Sequence, residues 1–138
     1  MKTDIARFLE AQQDDYAIAL AEIKSGIKRS HWMWFIFPQI HGLGFSNLSK
    51  YYAIKNIEEA MAFLQHPVLG VRLKEICDAL LNQPGKNAKV LIGSPDDMKL
   101  KSSMTLFAAI EDADSVFIKL LDKYFQGEKD ETTLKLLC

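Results

Sequence analysis

Ser30-His31-Trp32-Met33-Trp34-Phe35-Ile36-Phe37-Pro38-Gln39 carries both tryptophans and two of the eight phenylalanines of a 138-residue chain. Its apolar run, Trp32 to Phe37, alternates too poorly for a half-exposed strand and is too short for a long helix. A buried strand and a buried helical turn both fit. The helical patterns on either side favour the turn, which Pro38 then bends or ends. Each large ring can cover roughly 150–250 Å². Six adjacent side chains cannot share one helix face, so some of them belong to the core and others are left for a pocket or a partner surface.

Working outward, residues 4–13 read as a helix capped by Asp4, with Ile5, Phe8, Leu9 and Gln12 on one face. Asp14-Asp15 marks a restart. Tyr16, Ala19, Leu20, Ile23 and Ile27 then recur at helical spacing, and Gly26 suits the C-terminal cap. After the aromatic block, residues 39–49 form a loop rich in glycine, serine and asparagine, and a short helical piece carries Leu48, Tyr51, Tyr52 and Ile54. Asn56 and Glu59 have the spacing of a capping box, in which each side chain satisfies the other's backbone N–H. That helix ends at His66-Pro67, where another begins with Leu69, Leu73, Ile76, Cys77 and Leu80 on its core face. Residues 82–87 are a loop, and Ala88 to Ile92 fit a short helix or a short strand. A turn at Gly93-Ser94-Pro95-Asp96 leads into a helix from about Asp97 to Ile110 that buries Leu100, Met104, Phe107 and Ile110. Asp112 or Asp114 starts the next, with a broad stripe of Val116, Phe117, Leu120, Leu121, Tyr124 and Phe125, closed by Gly127. Asp130 caps a last short helix. With no convincing strand and no repeat, the class is all-α: a compact single-domain bundle of six to eight short helices over residues 1–138.

Composition narrows the function classes. Apolar residues make up 49% and charged residues 25%, as in an ordinary globular domain. Seventeen basic against 18 acidic residues give a net charge of −1, which argues against broad binding to nucleic acid or an anionic membrane. Cys77 and Cys138 build no disulfide framework, and His31, His41 and His66 have no metal-ligand spacing, so no metal or cofactor is expected. No signal segment and no apolar run of spanning length is read, so the expected location is cytoplasmic, without membrane contact.

The candidate chemistry gathers around the block. His31 is the candidate acid or base. The bland reading makes it a structural histidine. Trp32, Trp34 and Phe37, with Tyr52, are candidate walls for a flat ligand ring, against core packing as the ordinary alternative. Lys99 and Ser103 stand four apart on one helix face, beside Ser102. A lysine can activate a serine, although the spacing recurs by accident and the usual serine–lysine motif runs in the other order. Arg72 suits a carboxylate or phosphate, or pairing with Glu75 or Asp78, and Gln39 closes the set of polar contacts.

Several of these stretches together resemble one family. The decamer at 30–39, Gly42-Leu43-Gly44, His66-Pro67-Val68-Leu69-Gly70 with Arg72-Leu73, and Asp97-Met98-Lys99-Leu100-Lys101-Ser102-Ser103-Met104-Thr105-Leu106-Phe107 all fit it. So do Phe8, Gln12 and Tyr16 at the front and Gly127, Asp130, Thr133 and Leu134 at the back. The chain resembles the DUF1810 family of small bacterial and fungal proteins of unknown function, sometimes labelled calpastatin. The resemblance implies a mostly helical fold, like that of a mycobacterial hypothetical protein, and assigns no catalytic residue. The label does not suit a chain with the composition of a folded domain, since calpain inhibitors are disordered repeats.

Two readings of function remain. In one, a pocket walled by Trp32, Trp34, Phe37 and Tyr52, with His31, Gln39, Arg72, Lys99 and Ser103 as polar contacts, binds a nucleotide or ADP-ribose-like compound, or hydrolyses one with His31. In the other, the protein is a non-catalytic helical interaction module. Convergence of His31, Arg72, Lys99 and Ser103 on one concave surface separates the two.

Overall fold

A computed structural model describes residues 5–44, 46–85 and 87–138. Among them the chain forms nine helices: α1 (Ala6–Ser25), α2 (Met33–Ile36), α3 (Asn47–Tyr51), α4 (Ile57–Gln65), α5 (Leu69–Leu81), α6 (Ala88–Leu91), α7 (Asp96–Ala108), α8 (Val116–Phe125) and α9 (Glu131–Leu137). No strand ladder occurs among the described residues, only an isolated parallel bridge between Ile40 and Ile54. The all-α class therefore holds. The number exceeds the expected six to eight because α2, α3 and α6 are single turns of four or five residues.

The expected break at Asp14-Asp15 does not occur, and α1 runs unbroken for 20 residues. Neither aspartate is buried, and aspartate costs a helix interior only about 0.7 kcal/mol. Phe8, Gln12, Tyr16, Ala19 and Ile23 form its continuous buried stripe. Gly26 takes φ +92° and donates to the carbonyls of Glu22 and Ile23, so the left-handed cap falls on the residue that tolerates it. The Asp4 cap lies outside the described residues.

α7 sits at the centre, in contact with α8, α4, α9, α2 and α6. It is buried on more than one face, so Ser102, Ser103 and Thr105 join Leu100, Met104, Leu106 and Phe107 inside. A row of rings crosses the bundle through it. Phe8 of α1 meets Phe63 of α4 edge-on at 5.1 Å, Phe63 meets Phe107 of α7 at 5.6 Å, and Phe107 meets Phe117 of α8 at 5.6 Å.

Caps set the helix ends. Asn56 Oδ1 accepts the Glu59 N–H, as the capping box requires, but Glu59 does not return to Asn56. Its Oε1 accepts instead from the Lys55 N–H at 3.0 Å and from Arg7 at 2.9 Å. Arg7 also donates to the carbonyls of Tyr51 and Ala53, each at 2.8 Å. A buried ion pair thus joins α1, the chain before α4, and α4 itself. At the next junction His66 Nδ1 accepts from the N–H groups of Val68 and Leu69, starting α5.

The turn at His66-Pro67 works only with glycine at 70. A Cβ there would stand 1.9 Å from the Leu64 carbonyl oxygen, backbone that cannot move aside without displacing α4 from α5. Gly70→Ala is expected to destabilise the fold by about 1–3 kcal/mol or more, measured by urea unfolding. Gly85→Ala, where nothing lies within 4 Å, is the control and stays near wild type.

Candidate functional site

The end of α1 builds the site from below. Glu22 projects toward the chain that leaves the Gly26 cap, and its carboxylate accepts four hydrogen bonds: from the backbone N–H groups of Arg29 (2.8 Å) and Ser30 (3.0 Å), the Ser30 hydroxyl (2.5 Å) and the Trp32 indole N–H (2.9 Å). Burial alone raises the Glu22 carboxyl, but those donors outweigh it and bring it down to about 2. The aromatic block begins on this anchor.

The block folds as a helical turn, with most of its side chains inside. Trp32, Met33, Phe35, Ile36 and Phe37 are buried, Phe37 completely. Trp32 and Phe37, expected as pocket walls, pack against each other in the core with ring centres 6.1 Å apart. Trp34 is half-buried at the surface.

Four charged and aromatic neighbours continue from it. Lys28 lies over the Trp32 ring (5.1 Å to its centre) and pairs with Asp96 Oδ2 at 2.9 Å. Asp96 Oδ1 pairs with Lys99 at 3.0 Å, and Lys99 lies over the Trp34 ring at 4.7 Å. Burial pushes the Asp96 carboxyl up, and the two ammonium groups more than reverse this, so it titrates below the ordinary carboxylate range. The result is a ladder, Trp32–Lys28–Asp96–Lys99–Trp34, that clamps α2 to the start of α7. Cations over indoles in such settings contribute about 0.5–2 kcal/mol each.

Beside the ladder opens a cleft of about 270 Å³, walled by Gln39, Leu43, Gly44 and Ser49, by Pro95 and the first turns of α7, and by Asp130. Gln39 and Lys99 line it, as do Ser102, Ser49 and Asp130. Ser102 Oγ donates to the Gln39 side-chain carbonyl at 2.6 Å, which leaves the Gln39 amide N–H groups without a partner among the described residues. Asp130 uses one carboxylate oxygen to cap α9, accepting from the Thr133 N–H (2.9 Å) and hydroxyl (2.6 Å). Gly44 is required here by close approach, because a Cβ would fall 2.3 Å from Ser49 Oγ and 2.4 Å from its Cβ.

The other expected site residues lie elsewhere. Ser103 is fully buried and its hydroxyl has no hydrogen-bond partner among the described residues, and Ser102, one residue earlier, reaches the cleft in its place. His31 is exposed and lines neither the cleft nor the ladder. Tyr52 packs among Phe8, Phe35 and Tyr51. Arg72 belongs to a cluster between α1 and α5, where it lies over the Tyr16 ring and donates to Gln12 Oε1 at 3.4 Å. Gln12 Nε2 in turn donates to the Phe35 carbonyl at 2.7 Å, linking that cluster to the block only through the backbone. Tyr16 donates to Glu75, and burial together with this bond holds its phenol well above the ordinary range. Among the described residues, no three His, Cys, Asp or Glu side chains are placed to hold a metal ion, and no helix is long and apolar enough to cross a membrane.

The residues that sequence reasoning missed were Glu22, Asp96, Ser102 as a lining group, and Asp130. Gly44 stood within the family-like stretches without a role, and Asp130 only as the cap of the last helix. Nothing in the pattern around Glu22, a helix-surface glutamate, signalled its anchoring.

The family model described as "Protein of unknown function (DUF1810)" matches residues 2–137. The crystal structure of the conserved hypothetical protein Rv1873 from Mycobacterium tuberculosis is 47% identical, with a TM-score of 0.95 over 97% of this chain and 96% of that one. No curated protein matches the chain.

Since the Glu22 carboxyl sits at about 2 against an ordinary 4.5, its stabilisation is complete above 4.5 and is lost as pH falls from there toward 2. Glu22→Gln is expected to be less stable than wild type at neutral pH and to show a shallower loss through that acid range. Thermal unfolding across the pH series reads both effects.

Proposed function

This chain belongs to the DUF1810 family, whose description names no reaction, and from the chemistry of the cleft we propose that it binds a small hydroxyl-rich molecule there, the ribosyl part of a nucleoside or nucleotide derivative. The observation that carries the reading is the Ser102–Gln39 hydrogen bond, which turns the Gln39 amide donors loose beside an ammonium and a carboxylate. Lys99 and the Gln39 amide donate, while Asp130 and Ser49 can accept from sugar hydroxyls. The charges are balanced, with Lys28 and Lys99 set against Asp96 and Asp130. That balance suits a neutral polyol better than a naked phosphate. A volume of about 270 Å³ lies just below the common range for small-molecule pockets, roughly 300–1,000 Å³, and fits one sugar rather than a dinucleotide.

The reading is recognition rather than hydrolysis. Ser102 bonds to an amide, Lys99 is held by Asp96, and no histidine lines the cleft. A second reading, a docking site for a protein partner, is the one favoured by the dispersal of His31, Arg72 and Ser103 away from Lys99, and it draws also on the apolar residues near the rim, where Met98 lines the cleft 49% exposed and Leu136 packs on Gly42 while 42% exposed.

A thermal-shift panel of nucleosides, ribose and ADP-ribose tests the proposal. A ligand present at a hundred times its dissociation constant adds about 2.7 kcal/mol of stability. Gln39→Ala and Lys99→Ala are expected to weaken a hit about tenfold, equivalent to about 1.4 kcal/mol of binding. A panel without any shift, or a shift both variants retain in full, would sink the proposal.

A further inference from the structure

α3 has a second groove on its other side. Ser49 faces the cleft just described, whereas Lys50 and Tyr51 line a space of about 450 Å³ together with Arg7, His41, Ala53 and Lys55. The two share no lining residue.

The charge of this groove is one-sided. Among the described residues the ionisable side chains that line it are Arg7, Lys50, Lys55, His41 and Tyr51, with no carboxylate. The whole chain carries −1, so the clustering is local. Arg7 forms the floor, only 5% exposed and ion-paired with Glu59. Lys50 and Lys55 form no ion pair among the described residues, in contrast to Lys28, Lys74 and Lys99. Hydrogen bonds fix the backbone that carries two of the walls: the His41 N–H donates to the Ile54 carbonyl at 2.7 Å and the Lys55 N–H to Glu59. Tyr51 stands at the rim, held edge-to-face with Tyr52 at 4.8 Å and still 55% exposed.

Cations gathered around a concave surface, as Lys50 and Lys55 are here with no ion-pair partner among the described residues, raise the local potential and concentrate anions. Ammonium groups make short, charge-assisted bonds to phosphate oxygens. An exposed ring beside them can stack on a base whatever its identity. We propose that this groove is a binding site for a small phosphorylated molecule, with the phosphate held between Lys50, Lys55 and His41 and an attached flat ring against Tyr51. The volume suits a mononucleotide, and the patch is too short to follow a nucleic-acid strand.

Amide chemical shifts of the full chain, followed during titration with AMP and with inorganic phosphate, test the site. The expected shifts concentrate at His41, Lys50, Tyr51, Ala53 and Lys55, weaken as salt is added, and saturate at lower concentration for AMP than for phosphate. The double variant Lys50→Ala/Lys55→Ala replaces two exposed side chains and keeps the wild-type spectrum elsewhere. It is expected to bind AMP about tenfold more weakly or worse at this groove, while Lys119→Ala, exposed on α8 and in neither groove, binds it unchanged. Shifts confined to the Gln39–Lys99 cleft, shifts at His41, Tyr51 and Ala53 retained in the double variant, equal affinity for phosphate and AMP at this groove, or no shift at millimolar AMP would each overturn the proposal. Tighter binding of a short single-stranded oligonucleotide than of AMP would overturn it in favour of a nucleic-acid surface.

Discussion

Four donors converge on the Glu22 carboxylate, and the chain between α1 and α2 has its path fixed by them. Hydrogen bonds to a charged acceptor are roughly twice as strong as neutral ones. Two of the four come from backbone groups that no helix satisfies at that point, and one from an indole that is otherwise buried. Once Trp32 is held, the single turn of α2 places Trp34 on the outside and Phe37 in the core, and Gln39 emerges facing α7. The ladder of lysines and aspartate locks the same register from above. The cleft is thus a consequence of how α1 ends.

A second anchor acts at the far side. Arg7 and Glu59 are both removed from water, a cost of several kcal/mol per ion that a pair recovers only with good geometry and further hydrogen bonds. Those further bonds are present: the carbonyls of Tyr51 and Ala53 for the arginine and the Lys55 N–H for the glutamate. One glutamate oxygen stays without a partner among the described residues. The pair is better understood as a specifier than as a source of net stability, because it dictates where the chain between the Ile40–Ile54 bridge and α4 must run.

Helix faces were legible in the sequence wherever a helix has one buried side. The stripes of α5 and α8, the Asn56 and Asp130 caps and the Gly26 terminus follow from spacing alone. Periodicity fails where burial is not one-sided. α7 is surrounded, so spacing could not separate Ser102, which reaches the cleft, from Ser103, which is sealed inside. It fails again at Asp14-Asp15, where two residues of weak helical preference lie outside the buried stripe and the stripe itself carries the helix through. The partners of Glu22 and Glu59 are long-range or lie around a turn. No local rule ties a surface-type glutamate to an indole ten residues on, or one capping residue to an arginine 52 residues before it.

α3 has no buried residue of its own, and the bridge at Ile40 and Ile54 ties down the base of the excursion that carries it. It nevertheless forms a wall of both grooves. A segment with so little burial opens at a small fraction of the global unfolding energy. Its amides should therefore be among the first to exchange with solvent. An occupant of either groove that immobilises α3 lowers the ordering cost for an occupant of the other, so the shared wall makes the two grooves thermodynamically reciprocal.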